Sequence, residues 1–250
     1  MAPEIVLDKN SPSGRLMCMA QECGLPLKRH AEISDNITDP YYLEGADLRE
    51  IEPRFMDTYP NLRRILAHIS TEEAVKHMIE YGDPDTYICE ITAHHLLADR
   101  RILYDGGALL PDHHCLPRIN EKRHRDALRR LVGMCPPYVV AGSDGAIHLT
   151  KNKYRFDAFG GLNTTACDLE LYIQLLAEMG VLHYADDFLY KNARRFFGDL
   201  IPPPKHVRLV RQEWTANARI PIPGTDDEAT PFGFHPDPKK RFRFKWKLAL

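Results

Sequence analysis

The chain has 250 residues, 44% hydrophobic and 27% charged, with a formal net charge of -2 at neutral pH. This is ordinary globular usage in a chain long enough to bury a sizeable core, and it excludes a whole-protein field that attracts polyanions. Six scattered cysteines are too sparse for a disulfide scaffold and read as reduced thiols, and no apolar run is long enough for a spanning helix. The opening "MAPEIVLDKNSPSG" shows no signal or transit pattern, so the expected location is intracellular, in the cytoplasm or an organellar matrix, rather than secreted.

In chain order, "EIVLD" at 4–8 reads as a strand, "SPSGRLMCMAQECG" as a turn and short helix, and "LPLKRHAEI" as a returning strand. This opening resembles the thioredoxin-like half of a glutathione transferase, which would put Ser11 or Ser13 at a thiol. The resemblance stops there, because no Val-Pro strand step and no Glu-Ser pair follow. From 46 to 134 the pattern predicts helices. Leu62, Ile65, Leu66 and Ile69 form a stripe at i, i+3, i+4, i+7. A second helix follows, with Ser70 and Glu73 in capping-box spacing and Gly82 as its stop. "DPDTYICEITAHHLLADRR" restarts with Asp83 as N-cap and Pro84 at the first position, and "INEKRHRDALRRLVG" is a further helix ending at Gly133.

Past Gly133 the period changes. Tyr138–Ala141 and Ala146–Thr150 predict a hairpin turned through Ser-Asp-Gly. A helix is expected over 165–179, capped by Thr165 with Asp168 and ended by Gly180, then a short strand "VLHYA" and a helix "DDFLYKNARRFFG". Residues 201–250 differ in kind. They hold eight of the nineteen prolines, ten Lys/Arg and five Asp/Glu, and little periodicity before the end. Such a segment is expected to lie extended over a partner or its own globule.

Several stretches suggest chemistry. "LHYADDFLY" resembles the Tyr-x-Asp-Asp loop of reverse transcriptases, but the palm needs a third strand-borne carboxylate, and Asp157 is separated from Asp186 by the 165–179 helix. Asp186 and Asp187 read more simply as helix-capping residues. "PDHHC" at 111–115 resembles the motif of membrane palmitoyltransferases without the surrounding zinc ligands or spanning helices. The histidines cluster at His94, His95, His113 and His114, with Cys115 adjoining. No cofactor motif is present. Zinc is the one metal these side chains would suit, although adjacent helical histidines diverge by about 100° and each pair should give one ligand at most.

The helix–hairpin unit near 118–151 resembles the last helix and wing of a winged-helix domain. That resemblance implies nucleic-acid contact through Lys122, Arg123, Arg125, Arg129 and Arg130. At the C-terminus Phe242, Phe244, Trp246 and Leu248 alternate with Arg241, Arg243, Lys245 and Lys247, the period of a strand with one apolar face.

The expected fold class is therefore α+β and mainly helical. Residues 1–200 form a helical α+β body with small β-hairpins, and 201–250 form an extended proline-rich arm ending in a basic, aromatic strand. The leading expectation is a non-catalytic structural or adaptor subunit of a larger intracellular assembly, organellar or RNA-containing. It would dock onto other protein subunits, and onto RNA, through Arg241, Phe242, Arg243, Phe244, Lys245, Trp246 and Lys247. The alternatives are a winged-helix nucleic-acid-binding protein and a metal-dependent enzyme using the histidine cluster. No Walker loop, dinucleotide fingerprint, Ser-His-Asp elbow or kinase signature is present.

Overall fold

The computed structural model describes residues 7–35 and 37–249. The strand expected at 4–8 lies mostly outside them.

A parallel four-stranded sheet organises the molecule. Its strands are β1 (Leu27–Arg29), β2 (Arg64–Leu66), β3 (Tyr87–Ile91) and β4 (Val139–Ala141), paired in that order. Lys28 aligns with Ile65, Ile65 with Ile88, and Cys89 with Val139. Helix α1 (Pro12–Glu22) precedes β1, with Ser11 accepting from the Gly14 N–H as its cap, so one of the two serines singled out has a helix-end role. Helices α2 (Leu43–Glu50) and α3 (Glu52–Thr58) stand between β1 and β2.

Helix α4 (Glu72–Tyr81) follows β2, and helix α6 (Lys122–Met134) joins β3 to β4 after the short α5 (Ala93–Leu97). Val75, Met78, Leu128 and Leu131 of α4 and α6 pack in one core with Leu66, Cys89, Ile91 and Val139 of the sheet. This is the layering of β-α-β units, in which helices cover a parallel sheet. The expectation of a mainly helical body with hairpins is therefore corrected to an α/β architecture built on a parallel sheet.

One predicted helix holds a strand, and another is a strand in its first half and the short helix α5 in its second. The Leu62–Ile69 stripe contains β2, and the segment restarted at Asp83 contains β3. All of Arg64–Leu66 and four of the five residues of β3 are buried. A strand covered on both faces reads as an apolar run, and a short apolar run fits a 3.6-residue period equally well. Several helices agree in kind with the expectation, whereas the strand expected at "VLHYA" does not form. Helix α4 forms with Thr71 rather than Ser70 as N-cap, and α6 runs as expected. Helix α7 (Asp168–Glu178) starts later than expected, with Cys167 as N-cap and no side-chain cap. "VLHYA" is a 3-10 turn at Leu182–Tyr184, followed by helical turns from Asp187 to α8 (Asn192–Phe197).

No wing follows α6. The chain after β4 makes a parallel bridge from Gly145 to Leu162, and Leu149 an antiparallel one to Ala229, so 138–150 is not a hairpin. The basic side chains of α6 are largely engaged within the chain. Lys122 pairs with Asp126, Arg123 with Glu121 and Glu72, Arg125 with Asp99 and Asp126, and Arg129 donates to the Leu96 carbonyl, while Arg130 is exposed. The winged-helix reading is corrected because the apolar face of this helix covers a parallel sheet.

The C-terminal segment returns to the body. Strands β5 (Leu209–Trp214) and β6 (Phe244–Leu248) pair antiparallel, and Trp214 stacks on Phe244 at 4.2 Å between ring centroids. Phe244 is fully buried in the main core, with Phe242 packed against it and Trp246 half-buried. The Lys245 and Leu248 amides donate to Gln174 and Glu170 of α7, and the Lys245 ammonium pairs with Glu178. Arg241 donates to the His235 carbonyl, whereas Arg243 and Lys247 stay exposed. The alternation was legible; the surface covering its apolar face is this chain's own. Among the described residues no helix is long and apolar enough to cross a membrane.

Candidate active site

In a parallel sheet every strand ends on the same side, and the loops leaving those ends are where such folds place their chemistry. Here His30 follows β1 directly, His68 lies two residues past β2, and Asp144 three past β4. His68 (φ 36°) and Asp144 (φ 41°) both adopt left-handed backbone, uncommon for non-glycine residues and concentrated at functional loops.

The two imidazoles meet edge to face, His30 Nδ1 standing 3.2 Å from His68 Nε2. On its other side His30 Nε2 is 2.7 Å from the Glu32 carboxylate, which orients the ring. His68 is buried with its Nδ1 unpartnered, and burial first, then the neighbouring His30 and His95, pushes its pKa down to about 3. It is therefore a neutral imidazole at neutral pH.

Burial raises the Asp144 carboxyl, opposed by the charges of Lys28 and His30 and reinforced by Glu90. Lys28 and Glu90 form a 2.7 Å ion pair on the sheet face that also carries Ile65 and Ile88. His30 and Glu32 also line a cavity of about 560 Å³ with Asp35, Arg29, Asp47 and Phe55, a volume suited to a small ligand.

The loop beyond β2 is braced from below. Glu44 of α2 accepts from the Ser70 amide and from the hydroxyls of Ser70 and Thr71. Burial pushes its carboxyl up to about 7. Arg29 pairs with both Asp47 and Glu52.

Of the residues singled out in the sequence, His94, His95 and Cys115 are brought together, their ligand atoms all within 4.8 Å and all three buried. The adjacent histidines do not splay apart as expected, since their ring centroids are 4.5 Å apart. His113 packs instead against Phe232, and His114 is a half-buried member of a separate cavity wall. Sequence reasoning missed His30, Glu32, His68 and Asp144. The signal was partial: a histidine or aspartate stands within three residues of the ends of β1, β2 and β4, but β1 is Leu-Lys-Arg and only β2 and β4 are apolar enough to read as buried strands.

No family model matches the chain. It is 30% identical over 201 residues to a dihydroorotase of Azoarcus sp. (strain BH72), covering 80% of this chain and 57% of that protein. It is 31% identical over 229 residues to a dihydroorotase of Hahella chejuensis (strain KCTC 2396), covering 92% of this chain and 63% of that protein. Among solved structures, the Saccharomyces cerevisiae dihydroorotase in complex with 5-fluoroorotic acid superposes over 100% of this chain and 68% of its own, with a TM-score of 0.81 at 20% identity. The chain thus shares the fold of part of a dihydroorotase, here a four-stranded parallel sheet covered by helices. The chain spans 57–63% of the length of these two curated relatives.

These likenesses are to enzymes. They overturn the expectation of a non-catalytic adaptor or nucleic-acid-binding protein with subunit or RNA partners, and the internal packing of Phe244 removes its structural basis.

Proposed function

We propose that this chain carries a histidine–carboxylate site for hydrolysing a ring amide, of the kind a dihydroorotase acts on. The observation that supports it is the arrival of His30, His68 and Asp144 at one end of one parallel sheet, two of them on left-handed backbone.

The donor set fits a zinc ion. Two nitrogens bound to one tetrahedral zinc lie roughly 3.3 Å apart. His30 Nδ1 and His68 Nε2 are 3.2 Å apart, and Glu32 steadies the first ring from behind. His30 and His68 would hold the metal, which when bound supplies Lewis acidity toward the ring carbonyl and a more acidic water. The neutral state of His68 leaves one ring nitrogen with a free lone pair for a metal, the other nitrogen keeping its proton.

The remaining chemistry belongs to Asp144. As water attacks the ring carbonyl carbon, the Asp144 carboxylate accepts the proton that the water loses. As the ring C–N bond breaks, the same group delivers that proton to the departing nitrogen. Its raised affinity for a proton suits both halves of this shuttle.

The test is hydrolysis of dihydroorotate, followed by loss of the ring-amide absorbance, with zinc content measured alongside. Asp144→Asn should lower kcat by about 10²–10⁴-fold while leaving zinc content unchanged. His30→Ala and His68→Ala should each lose zinc. Zinc content identical to wild type in both histidine variants, or undiminished turnover in Asp144→Asn, would sink the reading.

A further inference from the structure

Behind the strand-end site stands a second group that the proposed chemistry does not use. Thr92, directly after β3, caps α5 by accepting from the His95 amide, and this turn directs His94 and His95 into the interior. Cys115 approaches them from the loop preceding α6. His94 is 0%, His95 2% and Cys115 1% exposed.

His94 is the anomaly. Neither of its ring nitrogens has a hydrogen-bond partner. A buried polar atom left unpaired costs about 1–3 kcal/mol, and this ring leaves two. His95 is satisfied, with Nδ1 2.8 Å from the Thr92 hydroxyl and Nε2 3.2 Å from the Pro117 carbonyl. That carbonyl is shared, because the Cys115 thiol also lies 3.2 Å from it. Two donors on one acceptor, beside a ring with none, describes a group whose polar atoms outnumber their protein partners.

We propose that His94, His95 and Cys115 form a second, buried site for a thiophilic divalent cation of the zinc class. Two imidazoles and a thiolate select zinc over magnesium or calcium, which take oxygen ligands. Nitrogen and sulfur donors on one tetrahedral zinc sit roughly 3.3–3.8 Å apart. The observed span of 4.8 Å therefore closes by about 1 Å on binding. Binding places the cation on a His94 nitrogen, on one His95 nitrogen and on the Cys115 sulfur, whose thiol proton leaves for solvent. His95 keeps its other contact, to Thr92 or Pro117, which then orients the ring. Water takes the fourth position. The site shares no ligand with the His30–His68 pair, so the two can be lost separately.

Cobalt(II) is the probe, titrated into the full chain purified without a histidine tag and stripped of metal. The wild type should develop a thiolate-to-cobalt charge-transfer band in the near ultraviolet and bind one equivalent more than Cys115→Ser, which should lack the band. The band should persist in His30→Ala, which removes only the strand-end site. His94→Gln, which keeps size and polarity, should also lose the band and decides the matter if Cys115→Ser does not fold. A wild type without the band, or a band that survives in His94→Gln, overturns the proposal and leaves the strand-end site standing. Loss of the band in His30→Ala overturns the claim that the two sites are separate.

Discussion

α8 closes one end of the parallel sheet, its Phe196 packing on the inner residues Ile65, Ile88 and Val140 while Arg195 and Asn192 reach Asp85 and Pro136 ahead of β3 and β4, whereas at the other end the strands run out into His30, His68 and Asp144. The closed end is tied down by groups at or just ahead of the starts of β2, β3 and β4. Arg63 stacks on Phe196 and donates to its carbonyl, Asp85 pairs with Arg195, and Asn192 donates to the Pro136 and Val139 carbonyls. At the open end burial lowers the pKa of His68 and raises that of Asp144, and both of these residues adopt left-handed backbone. One sheet thus separates stability from chemistry along its strand direction, because parallel strands put all their exits on one side.

Breaking the closed end should show this division most strongly. Phe196→Ala removes a side chain that is 2% exposed and should cost about 3–5 kcal/mol in urea unfolding. Zinc held at His30 and His68 should still be bound by the fraction that remains folded. A variant that keeps its stability but loses metal would erase the comparison.

The brace beneath the open end gives a pH signature. Glu44 has an ordinary value of 4.5 and a folded value of about 7, so the native state holds its proton more tightly than the unfolded chain. Its contribution to stability is complete below pH 4.5 and is lost as pH rises to about 7, on the order of 3 kcal/mol across that window. Urea melts between those limits should show the wild type losing stability with rising pH and Glu44→Gln following a flatter line. Parallel lines would remove Glu44 from this role.

The smallest effect is expected at Lys28. Its ammonium is half exposed, so its pair with Glu90 is screened by water. Lys28→Met should change stability by less than about 1 kcal/mol. A larger loss would mean that the sheet face beneath the site depends on this pair.

Much of the local structure was legible from residue order. Helices α4 and α6 announce themselves by apolar period and by polar or glycine boundaries. The closing strand shows a strict two-residue alternation, and its alternate residues from 242 to 247 are indeed inward and outward. β2 and β3 were not legible because strands of three and five residues, all but one of them buried, cannot display a period when both faces are covered. The site failed with them. A histidine is conspicuous at a strand end only once the strand is known, whereas the adjacent pairs His94–His95 and His113–His114 stand out in any local window.

Composition and periodicity by themselves determined that this is a globular chain with an amphipathic helix over 122–134 and an alternating basic–aromatic strand at its end. They could not determine what those faces meet. The tertiary structure decided that α6 covers a sheet rather than entering a groove, and that Phe244 enters this chain's own core. It also decided that His30, His68 and Asp144, spread over more than a hundred residues, stand at one end of one sheet. The physical reason is that side-chain periodicity reports only the face an element must bury. The identity of the partner surface is set by long-range strand pairing, which no local window contains.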